Sequence, residues 1–493
     1  MNVLNSFAPL ANGEALDWNQ IPECSLSDFI RNLSEELELG ARITSFFALP
    51  EGSEKRLVAV LALDSSSGLC VSRSKPFSGS FPTLTPKYPE AHLFEREIYE
   101  QYELLPLEHP WLKPVRKNLD VIQNPKYFFS VEGPEIHEVS VGPVHAGVIE
   151  PGHFRFQCDG EEVLHLEIAL GYQHRGIEEA LLGGPHRLSI HQIETIAGDT
   201  SIGHATAYAQ ALEALAGVQA PLYALWVRAI ALELERLANH TGDLGALAGD
   251  VAFLPTSSAC GKIRGDFLNL TALLCGNRFG RGMVRPGFSP IDCDPKRLAL
   301  LNERFEQTLQ DALQAVGWLW DSASSRARFE QVGFLDTPTA AKIGLVGLAA
   351  RSCGLVRDVR FDHPTGWYRF AQVPLAVWPD GDVFSRAKVR WLEMQHSGEF
   401  LREQFNSPPE PESADGITHL APDKLAVSLV EGWRGEICHV ALTDSEGRFR
   451  RYKVTDPSFH NWMGLALALR NQAISDFPIC NKSFNLSYCG FDL

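Results

Sequence analysis

The sequence predicts an α+β protein, with a small N-terminal α+β domain followed by a larger, mainly helical domain with flanking β-strands. The 493 residues exceed what one hydrophobic core usually serves, so two domains are expected. Apolar residues alternate near the N-terminus, as in strands, whereas long stretches after residue 200 have helical periodicity. We place the boundary at residue 130, which gives domains 1–130 and 131–493.

The N-terminal domain is predicted from capping and alternation. Residues 25–28 have the composition of a helix N-cap and lead into spaced apolar residues. Residues 42–49 and 56–63 alternate as strands on either side of the turn-prone residues 50–53. A proline-rich, aromatic connector at 81–117 ends this domain.

The second domain is predicted to begin and end with strands around a helical centre. Strands are expected at 135–141, 153–157, 162–170, 437–442 and 449–454. Helices are expected at 204–216, 221–242, 296–321, 385–404 and near 463–474. Residues 407–416 (SPPEPESADG) are typical of an exposed loop.

Charge and hydropathy exclude two classes of partner. A net charge of −17 disfavours nucleic acid, because few basic groups are available to displace its counterions. No secretory signal and no apolar stretch long enough to span a bilayer is evident. We therefore expect a soluble chain that meets a membrane only through another subunit.

The ten cysteines are scattered, and the two nearest in sequence, Cys480 and Cys489, are nine positions apart. Neither zinc-site nor thioredoxin spacing occurs. This pattern is typical of reduced thiols in the cytoplasm. It predicts that the chain holds no thiolate-bound metal of its own.

Half of the sixteen histidines lie between His137 and His204. With nearby carboxylates they could form the metal site of a metallohydrolase. However, no HExxH spacing occurs, and neighbours on a strand point to opposite faces. Histidines that hydrogen-bond in a polar pocket or at the surface are the favoured interpretation.

Four charged residues recur on one face of the helix predicted at 221–242: Glu233, Arg236, His240 and Asp243. Such a stripe is most often a solvated helix face. The alternative is a buried charge ladder that moves protons.

Several motifs resemble a known family. Residues 142–153 (GPVHAGVIEPGH) and 171–176 (GYQHRG) resemble the large subunit of membrane-bound nickel–iron hydrogenases and the 49 kDa-type, quinone-site subunit of complex I. Residues 81–86 (FPTLTP), 94–97 (FERE) and 109–112 (HPWL) resemble the 30 kDa-type subunit of complex I. From about residue 25 onwards the chain is thus similar to the fused large subunits of formate-hydrogenlyase-like complexes.

The resemblance implies four positions at which a metal would be held. It also implies that the cysteine ligands are missing from all four. Catalytic members bind nickel and iron through two CxxC motifs, and their cysteines fall here on Ala197, Thr200, Ser487 and Gly490. Cys489 lies between two of these positions. The resemblance therefore implies no metal and no nickel–iron hydrogenase activity.

The same resemblance implies a pocket with another occupant, because the complex I subunit receives a quinone headgroup where the metal was. Its two loop histidines fall on Gly142 and Ala146, so neither is kept, although His145 could substitute for one of them. Its headgroup tyrosine falls near Thr200 and is also missing.

Three further residues are implied as members of the pocket. Glu150 matches the glutamate that passes protons at the hydrogenase metal site, although a structural hydrogen-bonding role is an open alternative. Asp199 and His204 follow the first vacated motif.

The implied partners are a complex I-type iron–sulfur small subunit, a ferredoxin-like iron–sulfur subunit and membrane ion-pumping subunits. The chain would lie peripherally on the cytoplasmic face of the inner membrane, with the iron–sulfur cluster in its partner and quinone as a possible acceptor. No GxGxxG motif occurs between a strand and a helix, so an NADH site would belong to another subunit. A redox-inactive scaffold joining peripheral and membrane arms is the alternative.

Overall fold

The predicted α+β fold class is confirmed, with 45% of the residues in helices and 19% in strands. The structure is a computed structural model that describes residues 6–116, 128–147, 149–412, 414 and 416–493.

The elements follow one another in an order that gathers strands at both ends of the chain. The strands are β1 (Ala8–Leu10), β2 (Glu14–Asp17), β3 (Glu23–Cys24), β4 (Arg42–Glu51), β5 (Glu54–Leu63), β6 (Gly68–Ser74), β7 (Ser80–Pro82), β8 (Leu105–Leu107), β9 (Ile136–Val141), β10 (His153–Asp159), β11 (Glu162–Ala169), β12 (Lys424–Glu431), β13 (Glu436–Thr443) and β14 (Phe449–Thr455). The helices are α1 (Leu26–Glu38), α2 (His92–Tyr102), α3 (Ile177–Ala180), α4 (Ser189–Ile193), α5 (Ser201–Ala216), α6 (Leu222–Asp250), α7 (Leu254–Cys275), α8 (Pro295–Asp321), α9 (Ala323–Ala327), α10 (Thr337–Lys342), α11 (Gly347–Arg351), α12 (Val359–Asp362), α13 (Val383–Asn406), α14 (Pro457–Ala468), α15 (Phe477–Phe484) and α16 (Tyr488–Asp492).

The N-terminal sheet has the order β1-β6-β5-β4, with β3 parallel to β6 at its side. Helix α1 begins as predicted, because the Ser25 side chain accepts the N–H of Asp28. Phe29 and Leu33 of this helix are buried against apolar residues of the sheet. The predicted helix-then-hairpin arrangement is confirmed.

The two ends of the chain share one sheet. Strands β9, β10 and β11 form a separate antiparallel sheet, whereas the C-terminal sheet has the order β14-β13-β12-β2. Leu16 of β2 lies opposite Leu425 of β12. Apolar residues of the first hundred positions also share a core with Phe459 and Phe491. The boundary at residue 130 remains a prediction.

Helix α6 is longer than the sequence predicted. Its glycines do not end the helix but lie where it packs against the next helix, α7. The prediction ended at Gly242, yet the helix continues to Asp250. A Cβ at Gly245 would lie 2.6 Å from Cβ of Cys260, and one at Gly242 would lie 2.7 Å from Cδ of Arg264. These glycines let α6 and α7 approach closely. Helix α7 was not predicted.

The last predicted helix, at 463–474, had the wrong bounds. Asp456 accepts the N–H of Ser458 and Pro457 occupies the first turn, so α14 starts there and ends at Ala468. Helix α2 and strand β12 were also missed. The described residues of the predicted loop 407–416 form neither helix nor strand, as expected.

Candidate functional site

Two segments far apart in sequence meet at Arg434, which lies between β12 and β13. Its guanidinium donates to both carboxylate oxygens of Asp199, at 2.7 and 2.8 Å, and to the carbonyl of Asn485. The Cys489 thiol lies beside the backbone of Gly198. The structure thereby brings together the segments that carry the four predicted positions Ala197, Thr200, Ser487 and Gly490.

Side chains of this chain fill the space around those positions. The Thr200 hydroxyl accepts the indole N–H of Trp433 at 3.1 Å. The Ser487 hydroxyl accepts the N–H of Gly490 at 2.9 Å and caps α16. A Cβ at Gly490 would lie only 2.7 Å from Oδ2 of Asp456. Any occupant of this site must share it with the Asp456 carboxylate.

A nickel–iron centre does not fit the residues present. The four positions offer a methyl group, two hydroxyls and a hydrogen, whereas that centre needs thiolates. Burial, and next the Glu150 carboxylate, raise the pKa of the Cys489 thiol to about 12, which disfavours a thiolate. In the part of the chain that the structure describes, no group of three or more His, Cys, Asp or Glu is placed to hold a metal.

The two predicted catalytic residues occupy different places. A carboxylate oxygen of Glu150 accepts the N–H of Tyr488 at 3.3 Å and lies beside Cys489, at the edge of the site. His145 bonds instead to the carbonyl of Gly152 at 2.8 Å within its own loop. The structure joins Glu150 to the site and gives His145 a local contact.

Four buried side chains are hydrogen-bonded in a row that starts at the site: Asp456, His204, His439 and Tyr452. We call this row the histidine chain. Nε2 of His204 lies 3.1 Å from Oδ2 of Asp456, and its Nδ1 lies 3.1 Å from Nε2 of His439. Nδ1 of His439 lies 2.8 Å from the hydroxyl of Tyr452. Only His204 was predicted from the sequence.

One arrangement of protons allows every hydrogen bond of the histidine chain to form with both imidazoles neutral and Asp456 ionised. Tyr452 donates to His439, His439 donates to His204, and His204 donates to the carboxylate. Although burial opposes it, the bond from His204 holds the pKa of Asp456 below its ordinary value. Burial places the pKa of His439 well below, and that of Tyr452 well above, their ordinary values. Tyr452 therefore keeps its proton and orients His439.

The ladder on α6 is buried, so the solvated-face interpretation is wrong. Glu233, Arg236 and His240 have no exposed surface, and Asp243 is 5% exposed. Glu233 accepts from Arg236 at 3.1 Å, and Nε2 of His240 lies 2.6 Å from a carboxylate oxygen of Glu393. With their partners these residues form what we term the charge network: Glu233, Arg236, His240, Arg351, Asp358, Arg360, Glu393 and Glu431.

Asp243 lies apart from the charge network and nearer the site. It pairs with Arg390 at 2.9 Å and accepts from the side chain of Asn485 at 2.6 Å. The carbonyl of Asn485 also accepts from Arg434. Asn485 therefore connects Asp243, the last residue of the ladder, with the site.

Comparison with known proteins gives two family matches. Residues 250–424 match the family described as "Respiratory-chain NADH dehydrogenase, 49 Kd subunit". Residues 20–125 match "Respiratory-chain NADH dehydrogenase, 30 Kd subunit".

Whole-chain relatives point the same way. The chain is 29% identical to hydrogenase-4 component G of Escherichia coli K12, over 92% of this chain and 82% of that protein. It is 30% identical to the carbon monoxide-induced hydrogenase of Rhodospirillum rubrum, over 71% of this chain and 97% of that protein. It is 26% identical to an NADH-quinone oxidoreductase subunit of Herpetosiphon aurantiacus, over 71% of this chain and 96% of that protein. In the described residues, no helix is both long and apolar enough to cross a bilayer.

Proposed function

The chain belongs to the family of hydrogenase large subunits and complex I 49 kDa-type subunits, with a 30 kDa-type domain fused at its N-terminus, and on this premise we propose a metal-free redox role for it. In this role it forms, with an iron–sulfur small subunit, the pocket where quinone or another acceptor is reduced. Electron transfer there is coupled to ion translocation by membrane subunits. The cluster belongs to the partner, while this chain supplies pocket shape and protons.

The histidine chain is the observation that carries this proposal. An acceptor such as a quinone takes up protons as it is reduced, so its site needs groups that deliver them. His204 and His439 are buried and bonded in line to Asp456, which lies against Gly490 at the site. His204 can take up one proton and release it to the acceptor through Asp456, while His439 orients the His204 ring.

The proposed setting follows from the relatives, which include a formate hydrogenlyase component and a component of a membrane-bound hydrogenase. We propose that this chain likewise packs against complex I-type and ferredoxin-like iron–sulfur subunits. It would lie on the cytoplasmic face of the membrane, held there by ion-pumping subunits.

A redox-inactive scaffold is the second candidate, and one observation favours it. Asp456 and the ion pair between Arg434 and Asp199 fill the space at the vacated positions. A pocket closed in this way leaves an acceptor little room. The chain would then serve to join the peripheral and membrane arms.

Glu150→Gln separates the two candidates, because it keeps the shape of the side chain but removes its charge beside Cys489. In the assembled complex, a reducing site predicts that acceptor-dependent turnover falls about 100-fold, while subunit composition is unchanged. Glu306→Gln, in an exposed ion pair with Arg402, is the matched control. Full turnover with Glu150→Gln favours the scaffold.

Elemental analysis of the purified chain tests the metal-free part of the proposal and the metallohydrolase alternative together. We expect nickel, iron and zinc well below one atom per chain. One tightly held atom per chain contradicts the proposal.

A further inference from the structure

A second cavity lies where the N-terminal part of the chain meets the rest, and its volume is about 150 Å³. One wall is formed by α2 and the segment after β8, which contribute Arg96, Trp111 and Lys113. The other wall includes His165 of β11 and Trp462 of α14. An engineered protein cavity of similar volume admits benzene, so one six-membered ring fits here.

The lining is largely apolar and can enclose a flat ring. Apart from the polar groups it consists of leucine, isoleucine, valine, alanine, proline, methionine and aromatic side chains. Leu93 of α2, Leu166 of β11, and Ala466 and Leu467 of α14 are among the apolar residues of the lining. Small-molecule sites combine such walls with a few convergent polar groups.

The polar groups of this lining are mainly cationic. Lys113 has a side chain only 2% exposed, and its ammonium lies 3.4 Å from a carboxylate oxygen of Glu167. Arg96 is 6% exposed and donates to the carbonyls of Lys113 and Pro114 rather than to a carboxylate. Burial lowers the pKa of Lys113 to about 8 and that of Arg96 to about 10, although neighbouring carboxylates oppose it. The two cations are thus incompletely compensated.

A hydrogen-bond donor is also unused. Trp462 is 4% exposed, and its indole N–H has no hydrogen-bond partner among the described residues. A buried donor without a partner costs free energy, which a bound acceptor would recover.

We propose that this cavity binds a small aromatic carboxylate, with the ring between the apolar walls and the carboxylate at Lys113, Arg96 and the indole N–H of Trp462. Charge complementarity selects the anion, and the volume limits the body to about one ring. Because the ligand touches both walls, its binding would hold the N-terminal part against the rest of the chain. This site is separate from the pocket at Asp456 and Gly490.

The test is a fluorine NMR titration of the full-length chain with 4-fluorobenzoate and, as a neutral isostere, 4-fluorobenzamide. We expect saturable binding of the benzoate and binding about tenfold or more weaker for the benzamide, because a charged partner strengthens a buried hydrogen bond. Equal binding of the two probes, or no binding of either, overturns the proposal.

Three variants locate the site. Lys113→Met should weaken benzoate binding about tenfold or more, and Trp462→Phe about threefold to tenfold. Lys113→Met also leaves Glu167 without its cation and could disturb the fold. Ala466→Phe is therefore used as a second test of the site, because it fills the cavity and keeps every charge. It should abolish binding, with a far-ultraviolet circular dichroism spectrum like that of the wild type. Binding that survives both Trp462→Phe and Ala466→Phe places the ligand elsewhere and overturns the assignment.

Discussion

The charge network and the histidine chain are both buried polar systems, but they are built from different kinds of group. The charge network holds three arginines, which cannot lose their protons, together with four carboxylates and one histidine, His240. The histidine chain has no permanent cation, and each ring nitrogen of its two imidazoles can donate or accept a hydrogen bond. Strong fixed pairs hold elements in place, whereas neutral imidazoles can pass protons. We infer that the first system maintains shape and the second serves chemistry.

Glu431 of the charge network and His439 of the histidine chain should respond to pH in opposite directions. Burial, and next Asp358, raise the pKa of Glu431 to about 7, so its contribution to stability is complete below its unfolded pKa and is lost as pH rises through 7. Burial lowers the pKa of His439, so its contribution is present above about 6.5, its unfolded value, and is lost as pH falls.

The largest effect is expected from Arg351→Met in the charge network. The Arg351 guanidinium donates to Glu393 at 2.6 Å and to Glu431 at 2.7 Å, and its loss leaves both carboxylates short of a cation. Removing one partner of a buried pair costs about 3–5 kcal/mol of the free energy of unfolding, measured by urea denaturation.

Arg402→Met is the control, because Arg402 and Glu306 form an exposed pair, whose loss costs about 1 kcal/mol or less. Equal costs for the two arginine variants would contradict a structural role for the charge network.

Gly490→Ala should have the next largest effect, by disturbing the histidine chain where it meets the site. The added methyl group meets Oδ2 of Asp456 at 2.7 Å, so the carboxylate must move from His204. Overpacking of this kind costs about 1–3 kcal/mol of the free energy of unfolding. Gly261→Ala in α7 is the control. Beyond its own stretch of helix, no atom of the described residues lies within 4 Å of the added Cβ, so alanine there should be neutral or slightly stabilising. A neutral Gly490→Ala would show that the site is open.

The pH comparison comes third. Between pH 5 and 8 the unfolding free energy of the wild type should fall relative to that of Glu431→Gln, by roughly 1–3 kcal/mol. Relative to His439→Gln, it should instead rise with pH. Urea denaturation at the two pH values gives both differences. Slopes of the same sign for both comparisons would contradict the opposite pKa shifts of Glu431 and His439.

Tyr452→Phe should have the smallest effect, about 1 kcal/mol, because it removes one neutral hydrogen bond and leaves Nδ1 of His439 without its donor. Tyr99→Phe, at a position 40% exposed, should change nothing measurable in the same urea denaturation experiment. A loss above about 3 kcal/mol for Tyr452→Phe would mean that the hydroxyl carries more than an orienting role.

Local signals explain what the sequence predicted correctly. The Ser25 cap of α1 and the start of α6 after Pro221 depend on neighbouring residues, and both were found. The ladder from Glu233 to Asp243 was recognised from helical spacing. Only its packing against α13, and the bonds from Arg236 to the carbonyls of Glu431 and Gly432, show that it is buried.

The histidine chain escaped prediction because its members are distant in sequence. His204 and His439 are 235 positions apart, and nothing local marks a lone histidine in an apolar strand. Asp456 has the local signature of a helix cap, which it is, and only its second oxygen binds His204. The glycines of α6 led to the opposite kind of error, a helix predicted too short. Gly245 and Gly249 lie at the contact between α6 and α7 and do not end the helix.

Turnover of the assembled complex carrying His439→Gln tests the central claim most directly, because this residue touches neither the site nor the charge network. The account predicts a fall of about 100-fold or more with unchanged assembly, and a much smaller fall for Tyr452→Phe. Wild-type turnover with His439→Gln would contradict a role of the histidine chain in proton transfer at the site.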